Sequence, residues 1–229
     1  MQCYYNGNFL DENSLNISIK TPGFQYGYGV FTSLRTSQGK ALLLAQHLER
    51  LETSCKVIGL LFPSQDYQAI INKLIADNNK QDLRLKIIIF EETKNQVSLL
   101  ITASEFQPNA SPSRLTVISN NYDATLLREI KSLNYMENVL LHRKAIQDGY
   151  DEGLLANSQN LLCECCYANI FFVKQEKIYT PKGKGNILNG IIRKELIKSI
   201  PIIEKDILLV DLPPSEQVFI TNSVQGIVY

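Results

Sequence analysis

The sequence predicts a two-domain α+β protein, and three observations lead to this prediction. The 229 residues suffice for one large or two small hydrophobic cores. Residues 107–113 are rich in Pro, Ser and Asn without apolar periodicity, which is typical of a linker. Helix and strand patterns mix before this segment, whereas short strands dominate after it. We therefore expect an N-terminal α+β domain over residues 1–106 and a strand-rich, barrel-like C-terminal domain over residues 114–229.

The elements of the N-terminal half follow from turn signals and apolar spacing. Its strands are expected at Val30–Thr36, Lys40–Leu44, Leu85–Phe90 and Val97–Ala103. The first two flank Ser37–Gly39, which predicts a hairpin turn. Apolar residues recur at helical spacing between Leu48 and Ile58, so a helix is predicted there. A second helix is expected to begin at Pro63–Ser64, with Ser64 as its N-cap.

The C-terminal half alternates short apolar runs with polar turns, and two helices interrupt this pattern. The expected strands are Leu115–Ser119, Gly153–Ala156, Leu161–Cys163, Asn169–Val173, Ile178–Thr180, Ile207–Val210 and Gln217–Thr221. The expected helices are Asn134–Gln147, which has apolar residues on one side, and Ile191–Ile200, which follows Gly190.

Composition excludes several classes of function. Basic and acidic residues balance at 23 each, and no basic stripe with interleaved aromatics appears, which argues against a nucleic-acid partner. No apolar run reaches the roughly 18 residues that span a bilayer. The polar, acidic N-terminus is unlike a signal peptide, so a cytoplasmic protein without a membrane partner is expected.

The five cysteines predict buried, reduced thiols and no metal site. Three of them crowd into Cys163–Cys166, but their spacing does not match the paired Cys-x₂₋₄-Cys pattern of structural zinc sites. Reduced cysteine packs as a small apolar side chain, in keeping with a cytoplasmic protein.

Lys131 and Glu164 are the candidate reactive pair. A lysine among apolar neighbours can lose its proton near neutral pH and form a Schiff base with an aldehyde. A carboxylate fixed on a strand can hold a pyridine nitrogen protonated. Glu164 lies in the apolar run 161–166, where a charge needs a partner. Taken alone, however, each residue could equally be a solvated surface group.

An anion site is expected beside this pair. Gly190 precedes the second predicted helix, whose first N–H groups and positive dipole end attract an anion. The turn Thr221–Ser223 supplies hydroxyl and amide donors, and Arg50 lies on the polar side of its helix, from which a guanidinium can bind a dianion bidentately. A helix cap, an ordinary turn and a surface arginine are the alternative interpretations.

Together these segments resemble the class IV, or fold type IV, enzymes that depend on pyridoxal 5′-phosphate (PLP). The matching segments, in chain order, are Tyr5–Gly7, Phe24–Arg35, His47–Leu51, Lys131–Tyr135, Glu164–Phe171, Thr180–Pro181, Leu188–Arg193 and Thr221–Ser223. The resemblance covers nearly the whole chain. It implies a small N-terminal α/β domain and a C-terminal PLP-binding pseudo-barrel.

The resemblance also implies roles for individual residues. Lys131 matches the Schiff-base lysine, Glu164 the partner of the pyridine nitrogen, and Arg50 a phosphate ligand. The full set of implied cofactor-binding residues is Lys131, Glu164, Arg50, Asn169, Ile191, Ile192, Thr221 and Asn222. The expected substrate wall consists of Tyr26, Tyr28 and Thr32. The family forms homodimers with active sites between the domains, and its substrates are small-molecule amines.

Within the family, the motifs favour 4-amino-4-deoxychorismate lyase, which forms 4-aminobenzoate and pyruvate in folate synthesis. Glu164–Asn169 and Thr221–Ser223 resemble lyase motifs. The arginine that binds the substrate carboxylate in D-amino-acid aminotransferases has no match in Lys86–Lys94. A class IV aminotransferase, of branched-chain or D-amino-acid type, is the first alternative. A non-catalytic PLP-binding homologue is the second, because the chain stops at Tyr229, where the family commonly continues.

Overall fold

The computed structural model describes residues 1–108, 114–119, 121–182, 185, 187–212 and 217–229. The chain divides into two compact units, which we call unit 1 and unit 2. Unit 1 comprises Met1–Gln107 and Lys131–Asn134, and unit 2 comprises Pro108–Ile130 and Tyr135–Tyr229. The segment Lys131–Asn134, counted above with the C-terminal domain, thus groups with unit 1. Residues 109–113 of the expected linker lie outside the described residues, so the predicted domain boundaries stay a prediction.

Unit 1 is built on a six-stranded sheet. Its strands are β1 (Gln2–Tyr5), β2 (Asn8–Asp11), β3 (Gly29–Ser37), β4 (Lys40–Ala41), β5 (Leu83–Thr93) and β6 (Gln96–Glu105). They lie in the order β2-β1-β6-β5-β3-β4, and each neighbouring pair is antiparallel. The predicted hairpin and the two later strands of the N-terminal half are therefore confirmed, but the second hairpin strand ends at Ala41 and Leu44 begins a helix. On β5 the residues alternate between a buried face and a face that carries Arg84 and Lys86.

Three helices accompany this sheet. They are α1 (Pro22–Tyr26), α2 (Leu44–Val57) and α3 (Tyr67–Asp77). Helix α2 packs against β3 and buries Leu51 and Cys55, as its apolar spacing predicts. The predicted start of α3 at Ser64 is wrong, because Asp66 is the N-cap and accepts a hydrogen bond from the Ala69 N–H at 2.9 Å. Both residues cap helices well, and apolar spacing alone did not distinguish between them.

Unit 2 contains two sheets. Its strands are β7 (Leu115–Ser119), β8 (Glu152–Ala156), β9 (Leu162–Cys165), β10 (Asn169–Lys174), β11 (Lys177–Pro181), β12 (Ile202–Lys205), β13 (Gln217–Asn222) and β14 (Gly226–Val228). One sheet has the order β7-β8-β9 and the other the order β12-β11-β10-β13-β14. The predicted strand-rich character of this half is confirmed.

The predicted strand at Ile207–Val210 is wrong. Ile202–Lys205 is the strand that pairs in parallel with β11, and Leu209–Asp211 forms a 3₁₀ turn. Leu208 makes only an isolated bridge to Leu161. Both segments begin with two apolar residues, and pairing with β11 decides which of them forms the strand.

The helices of unit 2 are α4 (Leu126–Glu129), α5 (Met136–Gln147) and α6 (Ile191–Ser199). Helix α5 packs on β7 and β8, and α6 packs beside β13. The core of the larger sheet includes Phe171, which is fully buried and stacks on Phe219 with ring centroids 4.9 Å apart. The molecule is thus a mixed α+β protein with a strand-rich second half, as the sequence predicts.

Two further expectations concern cysteines and membrane spans. All five cysteines are buried and reduced, which confirms the prediction for them. Within the described ranges, none of the helices has both the length and the apolar character that a bilayer span requires.

Candidate active site

Lys131 is fixed to strand β3 by two backbone hydrogen bonds, one accepted by its own carbonyl and one donated by Leu133. The Phe31 N–H donates to the Lys131 carbonyl at 2.8 Å, and the Leu133 N–H donates to the Gly29 carbonyl at 2.9 Å. This close approach requires a glycine, since a Cβ on Gly29 would lie 2.6 Å from the Ile89 carbonyl oxygen and 2.7 Å from Leu133 Cδ1. Segment 131–134 therefore runs along β3 like a short extra strand.

Two lysine ammonium groups lie near the ring of Phe31. Lys131 Nζ is 4.8 Å from the ring centroid, and Lys86 Nζ is 4.3 Å from it, both within the range of a cation–π interaction. Burial lowers the pKa of Lys86, and the positive charge of Arg84 lowers it further. Lys86 was not predicted as a site residue. The sequence feature that could have indicated Lys86 is its position next to the apolar residues Ile87–Phe90 of a predicted strand.

Arg50 takes part in a hydrogen-bonded group with two other polar residues of unit 1. Its Nη2 lies 2.6 Å from Thr32 Oγ1, which in turn lies 2.6 Å from His47 Nδ1. Thr32 and His47 are both buried. Burial lowers the pKa of His47 to about 3, and the positive charges of Arg50 and Lys131 act in the same direction. His47 is therefore neutral at physiological pH.

The three residues expected at the substrate wall have different surroundings. Tyr26 is 71% exposed. The Tyr28 hydroxyl donates to the Ile58 carbonyl at 2.6 Å, and the Thr32 hydroxyl belongs to the group around Arg50. Their contact with a substrate stays a prediction.

Glu164 lies on β9 of unit 2 and is buried among hydrogen-bond donors. One carboxylate oxygen accepts from the Tyr122 hydroxyl at 3.2 Å. The other accepts from the Leu188 N–H at 3.2 Å and from Asn169 Nδ2 at 3.4 Å. Such donors stabilise an ionised carboxylate in an apolar core. Tyr122 was missed, because it lies in an irregular segment that no periodic pattern marks.

Strand β10 and the start of α6 meet beside this carboxylate. Asn169 Nδ2 also donates to the Leu188 carbonyl at 2.9 Å, and a Cβ on Gly190 would lie only 2.0 Å from Asn169 Oδ1. Gly190 is the N-cap of α6, so the N–H groups of Ile191 and Ile192 precede the first intrahelical bond and remain available to an anion.

Strand β13 brings the predicted Thr221 and Asn222 to the same part of unit 2. Thr221 is the register partner of Asn169 across β10 and β13. Its Oγ1 is buried and has no hydrogen-bond partner among the described residues. Asn222 Oδ1 accepts from the N–H groups of Val224 and Gln225, which closes the turn after the strand. A buried hydroxyl without a protein partner suits an external acceptor such as a phosphate oxygen.

A second buried carboxylate holds the turn that follows Glu164. Glu152 accepts hydrogen bonds from the Gly153 N–H at 2.9 Å and the Tyr167 N–H at 3.2 Å. The Tyr167 ring stacks on Tyr135, with centroids 5.9 Å apart. Burial raises the pKa of Glu152 to about 7, although these N–H donors oppose the shift.

Comparisons with known proteins identify the family of this chain. Residues 29–229 match the family described as amino-transferase class IV, so the chain belongs to this family. It is 26% identical to the aminodeoxychorismate lyase of Bacillus subtilis, over 98% of this chain and 84% of that protein. It is 28% identical to a D-alanine aminotransferase of Listeria monocytogenes, over 97% and 84% of the two chains.

Among solved structures, the chain is similar to a branched-chain aminotransferase from Thermoproteus uzoniensis with norvaline. The identity is 25%, the TM-score is 0.87, and the match covers 100% of this chain and 85% of that one. The fold type IV architecture expected from the motifs is therefore confirmed. The protein is an enzyme of a class that depends on PLP.

Each unit, considered by itself, carries groups that suit this cofactor. Unit 1 offers a lysine amine at a fixed backbone position, and unit 2 offers a buried carboxylate with three hydrogen-bond donors. The buried Thr221 hydroxyl and the start of α6 are suited to bind a phosphate. Within the described ranges, no group of three His, Cys, Asp or Glu side chains is placed to bind a metal ion.

The raised pKa of Glu152 predicts a pH-dependent stability. The folded state binds this proton more tightly than the unfolded chain, in which the carboxyl has its ordinary pKa of 4.5. The free energy of unfolding should thus fall as pH rises from about 4.5 to about 7, by about 3 kcal/mol at most, since one pKa unit corresponds to about 1.4 kcal/mol. Urea denaturation at pH 5 and pH 8 measures this change. Glu152→Gln should remove it, and an unchanged slope in that variant would contradict the assignment.

Proposed function

We propose that this protein is a 4-amino-4-deoxychorismate lyase that releases 4-aminobenzoate and pyruvate in folate synthesis. The observation that carries the proposal is the position of Lys86, whose Nζ contacts the Phe31 ring that Lys131 Nζ also contacts. A half-buried ammonium on the same aromatic ring as the reactive lysine suits a carboxylate-bearing amine as substrate.

The type of cation favours the lyase over an amino-acid aminotransferase. An aminotransferase acting on α-amino acids gains from a guanidinium, which binds the carboxylate next to the reacting carbon bidentately. The arginine of β5, Arg84, is exposed, and Lys86 takes the inner position. An ammonium acts as a point charge, which suits a carboxylate several bonds away from the reacting amine. 4-Amino-4-deoxychorismate has its carboxylates in such positions.

The cofactor-binding roles form part of the proposal. Lys131 would hold the cofactor's aldehyde carbon, and Glu164 would bind the protonated pyridine nitrogen. Arg50 would bind the phosphate bidentately, and the N–H groups of Ile191 and Ile192 would bind it from the start of α6. Asn169, Thr221 and Asn222 lie in the same part of unit 2 as Glu164, which supports their inclusion.

Each reacting proton is assigned to Lys131. When bound, PLP supplies an aldehyde that condenses with the substrate amine and a ring that accepts electrons. The amine of Lys131 removes the proton from C4 of the substrate as a general base. The carbon–oxygen bond at C3 then breaks, and Lys131 returns the proton to the leaving group. Glu164 would bind the ring nitrogen as a carboxylate, since Tyr122, Leu188 and Asn169 donate hydrogen bonds that stabilise its charged form.

A class IV aminotransferase is the second candidate, because similar proteins include enzymes of that name. A D-alanine aminotransferase is 28% identical to this chain. On the same residues, Lys131 would move a proton between the substrate carbon and the cofactor, and a 2-oxo acid would accept the amine. The two reactions share every residue named for cofactor binding and differ in the substrate they require.

Pyruvate release from enzymatically generated 4-amino-4-deoxychorismate tests the proposal directly. The wild type should release pyruvate and 4-aminobenzoate in equal amounts, and Lys131→Ala should release neither, since the base is gone. Lactate dehydrogenase coupling measures the first product. Absence of pyruvate, together with amine transfer from D-alanine or a branched-chain amino acid to 2-oxoglutarate, would identify an aminotransferase instead.

A second prediction concerns Lys86 itself. Lys86→Met keeps the apolar length but removes the charge, so KM for 4-amino-4-deoxychorismate should rise by roughly 10-fold or more, the effect of losing one hydrogen bond between charged groups. The matched control is Arg84→Met, which removes an exposed charge from the same face of β5. Steady-state kinetics of both variants measure the difference. Equal KM changes in the two variants would mean that substrate binding depends on the total positive charge of this face of β5, and would contradict a specific contact with Lys86.

We also propose that the protein forms a homodimer, as the family resemblance implies. Exposed apolar side chains cluster in one segment of unit 1, where Ile19, Phe24 and Tyr26 are 74%, 71% and 71% exposed. Large exposed apolar patches in soluble proteins mark interaction sites. A second copy of the chain would cover them.

Light scattering after size exclusion tests the dimer. The mass should be twice the 25.9 kDa of one chain. Phe24→Glu should shift it toward the monomer, because a charge in the contact would be desolvated. Val210→Glu serves as control, since Val210 is an exposed apolar side chain of unit 2 with 85% exposure. A monomeric wild type would refute the assignment.

A further inference from the structure

In the hydrogen-bonded group of Arg50, Thr32 and His47, the chemistry of the side chains limits which atom donates and which accepts. Arg50 and His47 are three positions apart on α2 and lie on one face of it, and Thr32 on β3 connects them. An arginine guanidinium only donates hydrogen bonds. The Thr32 oxygen must therefore accept from Arg50 Nη2.

The remaining proton of this group follows from that direction. The Thr32 hydroxyl carries one hydrogen, and His47 Nδ1 is the other polar atom at 2.6 Å from its oxygen. The Thr32 hydrogen finds an acceptor if it is donated to His47 Nδ1, and the ring hydrogen of the neutral His47 then lies on Nε2. Burial and the charges of Arg50 and Lys131 disfavour an imidazolium here, so His47 is neutral at neutral pH and one of its two ring nitrogens can accept.

We propose that Thr32 is a positioning residue that orients Arg50 for the cofactor's phosphate, with His47 as the acceptor that fixes the Thr32 hydroxyl. The inference rests on the proposed role of Arg50. A guanidinium is planar, so a bond from one Nη fixes its plane and directs its other N–H groups. Thr32 is fully buried and cannot turn its hydroxyl toward water. Arg50 therefore keeps one side-chain conformation before the dianion arrives, and less conformational entropy is lost on binding.

The inference also changes the expectation for Thr32. The hydroxyl predicted above for the substrate wall is engaged on its donor side by His47 and on an acceptor side by Arg50. Its loss should therefore affect the affinity for the phosphate group of the cofactor before it affects substrate selection.

Cofactor titrations of the apo form of the full-length protein test the inference. PLP and pyridoxal share the aldehyde and the ring, but pyridoxal has no phosphate. Thr32→Val keeps the shape of the side chain without the hydroxyl, and it should weaken PLP binding roughly 10- to 100-fold, the range for losing a hydrogen bond to a charged group. Its affinity for pyridoxal should stay at the wild-type value. Thr32→Ser retains the hydroxyl and should bind PLP as the wild type does.

The titrations distinguish a failure of the Thr32 positioning role from a failure of the Arg50 phosphate contact. Equal losses for PLP and pyridoxal in Thr32→Val, or no loss for either, would overturn the positioning role. Arg50→Gln should weaken PLP binding and spare pyridoxal. If it does not distinguish the two, the proposed phosphate contact of Arg50 fails. If Arg50→Gln distinguishes them and Thr32→Val does not, only the positioning role fails.

The direction of the hydrogen bonds has its own measurement. The chain contains two histidines, so ¹⁵N-labelled imidazole signals in NMR are assigned with a single His142→Gln variant. His47 should show an unprotonated Nδ1 and a protonated Nε2 at neutral pH, because Thr32 donates to Nδ1. A protonated Nδ1 would reverse the Thr32 bond and overturn the assignment.

Discussion

The backbone attachment of segment 131–134 to β3 is the constraint on which the reactive lysine depends. Its two hydrogen bonds, from Phe31 to Lys131 and from Leu133 to Gly29, are each worth about 1 kcal/mol in net stability. Their value lies in geometry, since together they fix both the position and the direction of the segment. The missing side chain of Gly29 makes this approach possible. Lys131 thereby comes to lie beside Phe31, a hundred positions away in the sequence.

Glu164, a buried carboxylate of unit 2, is stabilised by side-chain and backbone hydrogen bonds. Glu164 lies among the apolar side chains of β9, where an isolated carboxylate would cost several kcal/mol. Donors from three separate segments offset this cost: a tyrosine hydroxyl, a backbone N–H and an asparagine amide. Glu152, equally buried, accepts from the N–H groups of Gly153 and Tyr167, and burial raises its pKa to about 7 although these donors oppose the shift. The two carboxylates differ in the partners that the fold brings to them.

Local pattern was a good guide where neighbouring residues determine the structure. Helix α2 was predicted from apolar spacing alone, and the hairpin after β3 from its Ser37–Gly39 turn. It failed where two local choices were equivalent. Ser64 and Asp66 are both good N-caps, and the segments Ile202–Lys205 and Ile207–Val210 both begin with two apolar residues. The partner strand β11 decided the second case, since it lies far away in the sequence.

The sequence by itself determined the enzyme class and its cofactor, because the motifs that bind PLP are short segments whose backbone conformation is mostly local. It also indicated Lys131, Glu164 and Arg50 as candidates through those motifs. Only the tertiary structure decided their partners. The contact of Lys86 with Phe31, the donors around Glu164 and the bond from Arg50 to Thr32 join residues from separate elements. Such side-chain contacts depend on strand register and helix packing, which no local pattern specifies.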